Sequence, residues 1–378
     1  MNAGELRLDD EASANAVRAR LAATGLTGLQ VQGDITPFSI SHNVVNGERA
    51  TSECSTCHDR DSILAATFAL SDYTPGDAQA QIIAYTGVGF SGSVQDGPSA
   101  GAGFTPDPRS AGFYIIGLHS ESWVDRLGLL LFLGIILCVS GHAVARYVAS
   151  RRRGPVAREY ERIHMYDAYE RMWHWLQAIA ILTLLFTGLI IHKPHFFAMF
   201  SFPYAVNVHN VLGFILLTNA ALALFYHLAS GQIRQYLPEP RNFFRRAMSQ
   251  AMYYSKGIFA GATHPLQKTK TNKLNPLQQI TYLAILNVLL PAQIITGVLI
   301  WGLQRWPHIA AELGGLPVLA LIHTLVAWTF AAFIVMHVYL TTTGHSPTAG
   351  IKAMIGGWDD VEKHTGDPLT GAPQGESK

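Results

Sequence analysis

The stretch "ALIHTLVAWTFAAFIVMHVYL", residues 320–340, decides how the rest of the chain is read. It carries no charged residue and has the length, about 20 residues, that a helix needs to cross a bilayer. Its two histidines, His323 and His337, stand 14 positions apart. Fourteen helical steps of about 100° return close to the same face and cover about 21 Å of axis. One helix therefore offers two imidazoles to one side at two depths. Ionisable side chains within a membrane are rare and mark functional positions.

The composition agrees with a membrane setting. Of 378 residues, 49% are hydrophobic and 14% charged, against roughly 25% charged in soluble domains. A formal net charge of +1 gives no basic footprint for nucleic acid. Five apolar runs, at about 123–148, 172–191, 208–229, 277–303 and 316–341, are each long enough to span. Pro291 interrupts the fourth and predicts a kink. Arginines and lysines gather in 149–171 and 230–276, whereas the loops after the second and fourth runs hold only Lys193 and Arg305. The positive-inside rule then puts 149–171, 230–276 and the C-terminus in the cytoplasm, and residues 1–122 outside.

Other histidines supply partners for the pair on the fifth span. His174 opens the second span at its inner end, and His209 opens the third at its outer end. Depth matches His209 with His323 and His174 with His337, an arrangement suited to two stacked haems held between helices of a bundle. His227 rivals His174. It lies 18 residues after His209 on the same face, about 27 Å along the axis, which fits the spacing of the fifth helix less well. His142, in the first span, is read as a ligand, a tuning residue or an interfacial residue.

The polar N-terminal part contains Cys54-Ser55-Thr56-Cys57-His58, a C-x-x-C-H. This is the attachment signature of c-type haem, two thioethers with a histidine placed to reach the iron. Zinc needs a second ligand pair, which residues 1–122 lack. Attachment of such a haem outside the bacterial inner membrane agrees with the topology drawn from the basic residues. No methionine lies between Met1 and Met165, so the sixth ligand is expected to be His42 or His119. Residues 87–112, dense in Gly, Ser and Pro, read as irregular chain. Residues 1–40 contain no apolar run of a secretory signal, so export is expected to rely on processing or on a partner.

The stretches "ERMWHWLQAIAILTLLFTGLII", "VHNVLG", "KLNPLQQITY", "IHTLVAWTFAAFIVMHVYL" and "AMIGGWDDVEKH" resemble the di-haem cytochrome b subunits of formate dehydrogenase, nickel-iron hydrogenase and thiosulfate reductase over about residues 167–364. The resemblance implies haem b ligation by His174, His209, His323 and His337. It also implies a quinone site near the inner haem at Asn275 and Gln278, two amides that capping of the fourth span explains equally well from the residues alone. Those subunits usually have four spans and no c haem. "ISHNVVNGERATSECSTCH" is similar to segments of multihaem c-type cytochromes such as the octahaem tetrathionate reductase group.

The expected protein is an all-α membrane protein of five transmembrane helices, four of them a di-haem cytochrome b bundle, with a small irregular external c-type haem domain. Its parts are a periplasmic domain at 1–122, an extra span at 123–150, the cytochrome b domain at 151–358 and a disordered cytoplasmic tail at 359–378. The expected function is electron transfer between the quinone pool and a periplasmic redox subunit through one covalent haem c and two haems b. A quinol-dependent reductase serving a soluble acceptor directly, and a structural anchor, are the other classes considered. The reading predicts one covalent and two extractable haems per chain, to be checked by haem staining on a denaturing gel and a pyridine haemochrome count.

Overall fold

The computed structural model describes residues 10–29, 33–35, 55–58, 61–62, 64–71, 74, 80–82, 92–96, 101–109, 114–154, 158–238, 240, 242–266, 268–303 and 305–363. His42, Cys54 and everything beyond Lys363 lie outside the described residues. The chain divides into two compact units: Met1–His119 with Ile190–Pro203, and Ser120–Leu189 with Tyr204–Lys378.

In the first unit, α1 (Glu11–Ala22) starts on a capping box in which Asp10 and Ser13 satisfy each other's backbone donors. Strand β1 (Gly33–Ile35) pairs in parallel with β3 (Ala80–Ile82). Cys57 and His58 lie in α2 (Ser55–His58), a single helical turn. Strands β2 (Phe68–Ser71), β4 (Gly92–Asp96) and β5 (Ala102–Pro106) form an antiparallel sheet in the order β2-β5-β4. Phe104, 2% exposed, anchors its centre and packs on Phe68 with ring centroids 5.5 Å apart. The stretch 87–112, expected to be irregular, therefore contains two paired strands. Glycine and serine weaken side-chain packing, but they leave the backbone ladder intact, and one buried aromatic suffices to orient it.

The second unit is a helical bundle. Its helices are α3 (Ser122–Arg153), α4 (Ala168–His192), α5 (Phe202–Ala229), α6 (Phe243–Met252), α7 (Ile258–Ala260), α8 (Pro276–Ala284), α9 (Leu290–Trp301), α10 (Pro307–Glu312), α11 (Gly315–Thr341) and α12 (Ala349–Gly356). Among the described residues, five helices are long and apolar enough to cross a membrane: α3, α4, α5, the composite Pro276–Trp301 and α11. The composite joins α8 to α9 through a π-helical turn at Ile285–Leu289. Pro291 explains that turn. It has no N–H for the carbonyl four residues back and its ring crowds that carbonyl, so the helix widens just before it.

Ala180, Leu216, Ile285, Leu290, Val326 and Phe330 meet as the core of α4, α5, α8–α9 and α11. Large apolar residues such as Leu137, 74% exposed, and Phe225, 72% exposed, face outward. That inversion suits a lipid solvent, where outward apolar surface carries no penalty. Strand β6 (Tyr160–His164) pairs antiparallel with β7 (Trp358–Glu362). Four residues of β7 belong to the stretch expected to be a disordered tail. The ribbon forms because Gly357 adopts φ 84° to end α12, and its carbonyl then accepts the Met165 and Tyr166 amides.

Helix α3 buries only Val124 and Gly128. At Gly128 a Cβ would lie 2.2 Å from Trp328 of α11, so the close approach of the two helices requires glycine there. Replacing Gly128 by Leu is expected to push α3 off α11 and lower the melting temperature, by about 1–3 kcal/mol of overpacking, as measured by thermal unfolding in detergent.

Candidate functional site

Helix α11 carries His323 and His337 on its inward face, and each meets one histidine from another helix. His209 of α5 faces His323 with ring centroids 6.3 Å apart. His174 of α4 faces His337 with centroids 6.2 Å apart. An iron bonded to one nitrogen of each ring at about 2 Å would separate the centroids by about 6.3 Å, because each centroid lies about 1.1 Å behind its nitrogen. Both pairs fit a six-coordinate haem iron by that measure.

The His209/His323 level has a supporting shell that sequence reasoning missed. Thr187 Oγ1 lies 2.9 Å from His209 Nδ1, and Thr296 Oγ1 lies 2.9 Å from His323 Nδ1. Each threonine hydroxyl already donates within its own helix, to the Thr183 carbonyl at 2.8 Å and the Ala292 carbonyl at 2.7 Å. The threonine oxygens therefore accept from Nδ1–H, which makes each Nε2 an acceptor. A polar partner at Nδ1 is the usual way a protein orients a ligating imidazole. The Gln293 amide donates to His323 Nε2 at 3.0 Å, in keeping with that tautomer. Gly188 and Gly297 follow the two threonines, and a Cβ on either would stand 3.3 Å from the neighbouring imidazole Cε1. The signal was present as a Thr-Gly pair in "FTGLII" and again in "ITGVLI".

The His174/His337 level is framed differently. Trp173 and Trp175 stand edge-on to His174, and Phe333 packs on His337 at 5.5 Å. His174 Nδ1 is buried without a hydrogen-bond partner among the described residues. His227, 5% exposed, does not face His337. It lies edge-on to Trp173 at 5.7 Å, with Nε2 3.5 Å from the Tyr236 hydroxyl. His142 donates from Nε2 to the Tyr254 carbonyl at 2.8 Å, so its Nδ1 accepts from the Tyr339 hydroxyl, and both ring nitrogens are occupied.

Asn275 and Gln278 form a reciprocal capping box on α8: Asn275 Oδ1 accepts the Gln278 N–H at 2.9 Å, and Gln278 Oε1 accepts the Asn275 N–H at 3.0 Å. The amide NH₂ groups are left pointing away from the cap. Asn275 Nδ2 lies 3.5 Å from the Tyr254 hydroxyl, and burial pushes that phenol up, so it keeps its proton.

In the first unit, His58 Nδ1–H donates to the Ile116 carbonyl at 2.5 Å and its ring stacks on Phe202 at 4.9 Å. The tautomer again leaves Nε2 bare. His119 has the opposite arrangement. Its Nδ1 accepts the Ile115 N–H at 3.0 Å, so its proton sits on Nε2. Burial, then the Arg109 charge, holds its pKa below the ordinary histidine value.

The sequence relatives agree with the bundle. Residues 165–357 match the family model described as prokaryotic cytochrome b561. A protein of Escherichia coli (strain K12) named as a cytochrome, YdhU, is 32% identical over 241 residues, covering 62% of this chain and 88% of that protein. A protein of Rhizobium leguminosarum bv. viciae named as a Ni/Fe-hydrogenase B-type cytochrome subunit is 25% identical over 243 residues, covering 56% of this chain and 94% of that protein. No solved structure matches. A bundle with two facing histidine pairs, matched by that family model over half its length, identifies the chain as a member of the prokaryotic cytochrome b561 family, a membrane cytochrome b with b-type haem.

Proposed function

We propose that this cytochrome passes electrons between the quinone pool and a periplasmic redox subunit, with two b haems in the bundle and one covalent c haem in the N-terminal unit. The observation that carries the reading is the double histidine pair, 6.3 Å and 6.2 Å between centroids, hung on one face of α11. His209 with His323, and His174 with His337, are the proposed axial ligands. Bound haem supplies reversible one-electron exchange at its iron. The side chains do the rest. Thr187 and Thr296 hold the Nδ1 protons, so Nε2 of each partner stays basic. The layer of Ala180, Leu216, Ile285, Leu290, Val326 and Phe330 keeps water from the space between α4, α5, α8–α9 and α11.

The N-terminal unit is proposed to hold its haem through Cys54, Cys57 and His58. The bare Nε2 of His58 supports this, and the Nε2–H tautomer of His119 favours His42 as the sixth ligand. The basic segments put the ends of α3 and α5 at the cytoplasmic face, and with them the His174/His337 level. Quinone is proposed to bind at the start of α8. The capping box turns the NH₂ groups of Asn275 and Gln278 outward as donors, so capping and quinone binding are compatible roles.

His174→Ala is expected to abolish one b-haem signal and His209→Ala the other, read by low-temperature difference spectra of the purified protein. If His227→Ala removes the inner haem and His174→Ala spares it, the pairing is wrong. Gln278→Leu is expected to slow haem reduction by a quinol analogue about tenfold, the worth of one hydrogen bond, in stopped-flow traces with both b spectra intact. Unchanged quinol kinetics would place the quinone elsewhere.

A further inference from the structure

Below the His174/His337 level lies a cluster of titratable groups, three of them buried, that electron transfer by itself does not require. Lys273 Nζ is 2.6 Å and 2.8 Å from the two oxygens of Glu170, with both side chains 8% exposed. Glu170 stands four residues before His174, one turn away on the same face of α4, about 6 Å along the axis. Lys273 also lies over the ring of Tyr166, 5.5 Å from its centroid. The Tyr166 phenol is pushed up by burial, then by the Asp359 and Glu170 carboxylates, and stays protonated. Asp359 is itself buried and bonded at 3.3 Å to Lys268, whose side chain is 45% exposed. Tyr166 thus lies within the electrostatic reach of both ion pairs, Lys268–Asp359 and Lys273–Glu170.

A buried ion pair is a weak device for stability, since desolvation of both charges offsets most of their attraction. Here it sits where charge is expected to change. We propose that Glu170 is the protonation site coupled to reduction of the inner haem. This rests on the reading of His174 and His337 as ligands. When one electron from a quinol-class donor converts the iron from ferric to ferrous, one proton from the cytoplasmic water binds a Glu170 carboxylate oxygen. Lys273 keeps its charge throughout. Before reduction its counter-charge is the Glu170 carboxylate, and afterwards it is the added electron. The net charge of the low-dielectric region is therefore the same in both states.

The other groups facing Glu170 are Asp167, whose amide donates to it at 2.9 Å, and His227, Tyr226 and Tyr236, which feel its charge from α5 and the segment after it. Burial holds the Tyr236 phenol up and neutral. None of these is bonded to Lys273, so none replaces Glu170 as its counter-charge.

The test is a redox titration of the purified protein across roughly pH 6 to 9, with the inner wave identified by its absence in His174→Ala. The inner midpoint is expected to fall with rising pH by up to about 59 mV per unit, a tenfold change in proton activity for a one-electron couple. In the double variant Glu170→Gln, Lys273→Met the inner wave is expected to lose that slope while the outer wave is unchanged. Haem propionates are present in both proteins, so a slope that survives in the double variant belongs to them and overturns the proposal. A flat inner wave in the unmodified protein overturns it too. Should the double variant lose its inner haem, Lys273→Met alone decides. With the cation that pairs Glu170 removed, the slope is expected to disappear if the proposal holds, and a slope that persists overturns it. The haemochrome count, taken first, separates the failures. Fewer than two b haems overturns the ligand reading and this one with it; two b haems with a persistent slope overturns only the proton site.

Discussion

Two imidazoles that must face each other at about 6.3 Å in an apolar interior set the terms for the bundle. As proposed ligands each ring has to turn one nitrogen to the space between them, and a buried polar ring with no partner is costly. At one level the solution is a threonine from the preceding span, whose oxygen accepts from Nδ1–H and so makes Nε2 the acceptor nitrogen. Glycine must then follow the threonine, because the same helix face approaches the imidazole within van der Waals contact. Helix α11 meets this demand twice, so α4, α5 and α8–α9 all converge on it. The apolar layer of Ala180, Leu216, Ile285, Leu290, Val326 and Phe330 is what remains between the helices once the four rings are placed.

The two levels differ in what surrounds them. His209 and His323 are backed by hydroxyls whose own protons are committed to helix carbonyls, so that environment is dry and fixed. His174 and His337 lie toward the end of the bundle where Glu170, Lys273 and His227 are buried and Lys273 lies over the Tyr166 ring. An electron entering a low-dielectric region is stabilised when a proton follows it, and among the described residues Glu170 and Lys273 are the buried ion pair near this second level. The proposed placement of quinone at the cap of α8 puts proton-coupled chemistry at the same end. Lys273 stands two residues before that cap, so the ion pair also ties the first turn of α4 to the start of α8.

Helix α3 adds a span ahead of the region matched by the family model. It is held to α11 by Gly128 against Trp328 and by His142 with Tyr339, and Arg146 donates to the Thr342 carbonyl at the end of α11. Its histidine is thus a packing and hydrogen-bonding residue between helices, with neither nitrogen available to iron.

Much of this was legible in the residues alone. The five spans follow from uninterrupted apolar length, and the two depths on the fifth span follow from fourteen residues of helix, because helical periodicity is a local property that needs no partner. The C-x-x-C-H is a motif of adjacent residues, and the haem proposed for it rests on the sequence. The strands in 87–112 and at Trp358–Glu362 were not legible. Short pairings are decided by the strand opposite, and composition does not record it. Spacing favoured His174 and left His227 as a rival, and the rotation of α4 and α5 about their axes turned one ring toward His337 and the other toward Tyr236. Thr187, Thr296 and the Glu170–Lys273 pair lie 22, 27 and 103 positions from the side chains they bond. Sequence determined which residues could sit in the membrane and at what depth; tertiary structure decided which of them touch, because hydrogen bonds and ion pairs between helices depend on the azimuth and approach of each helix, and packing of the whole bundle sets both.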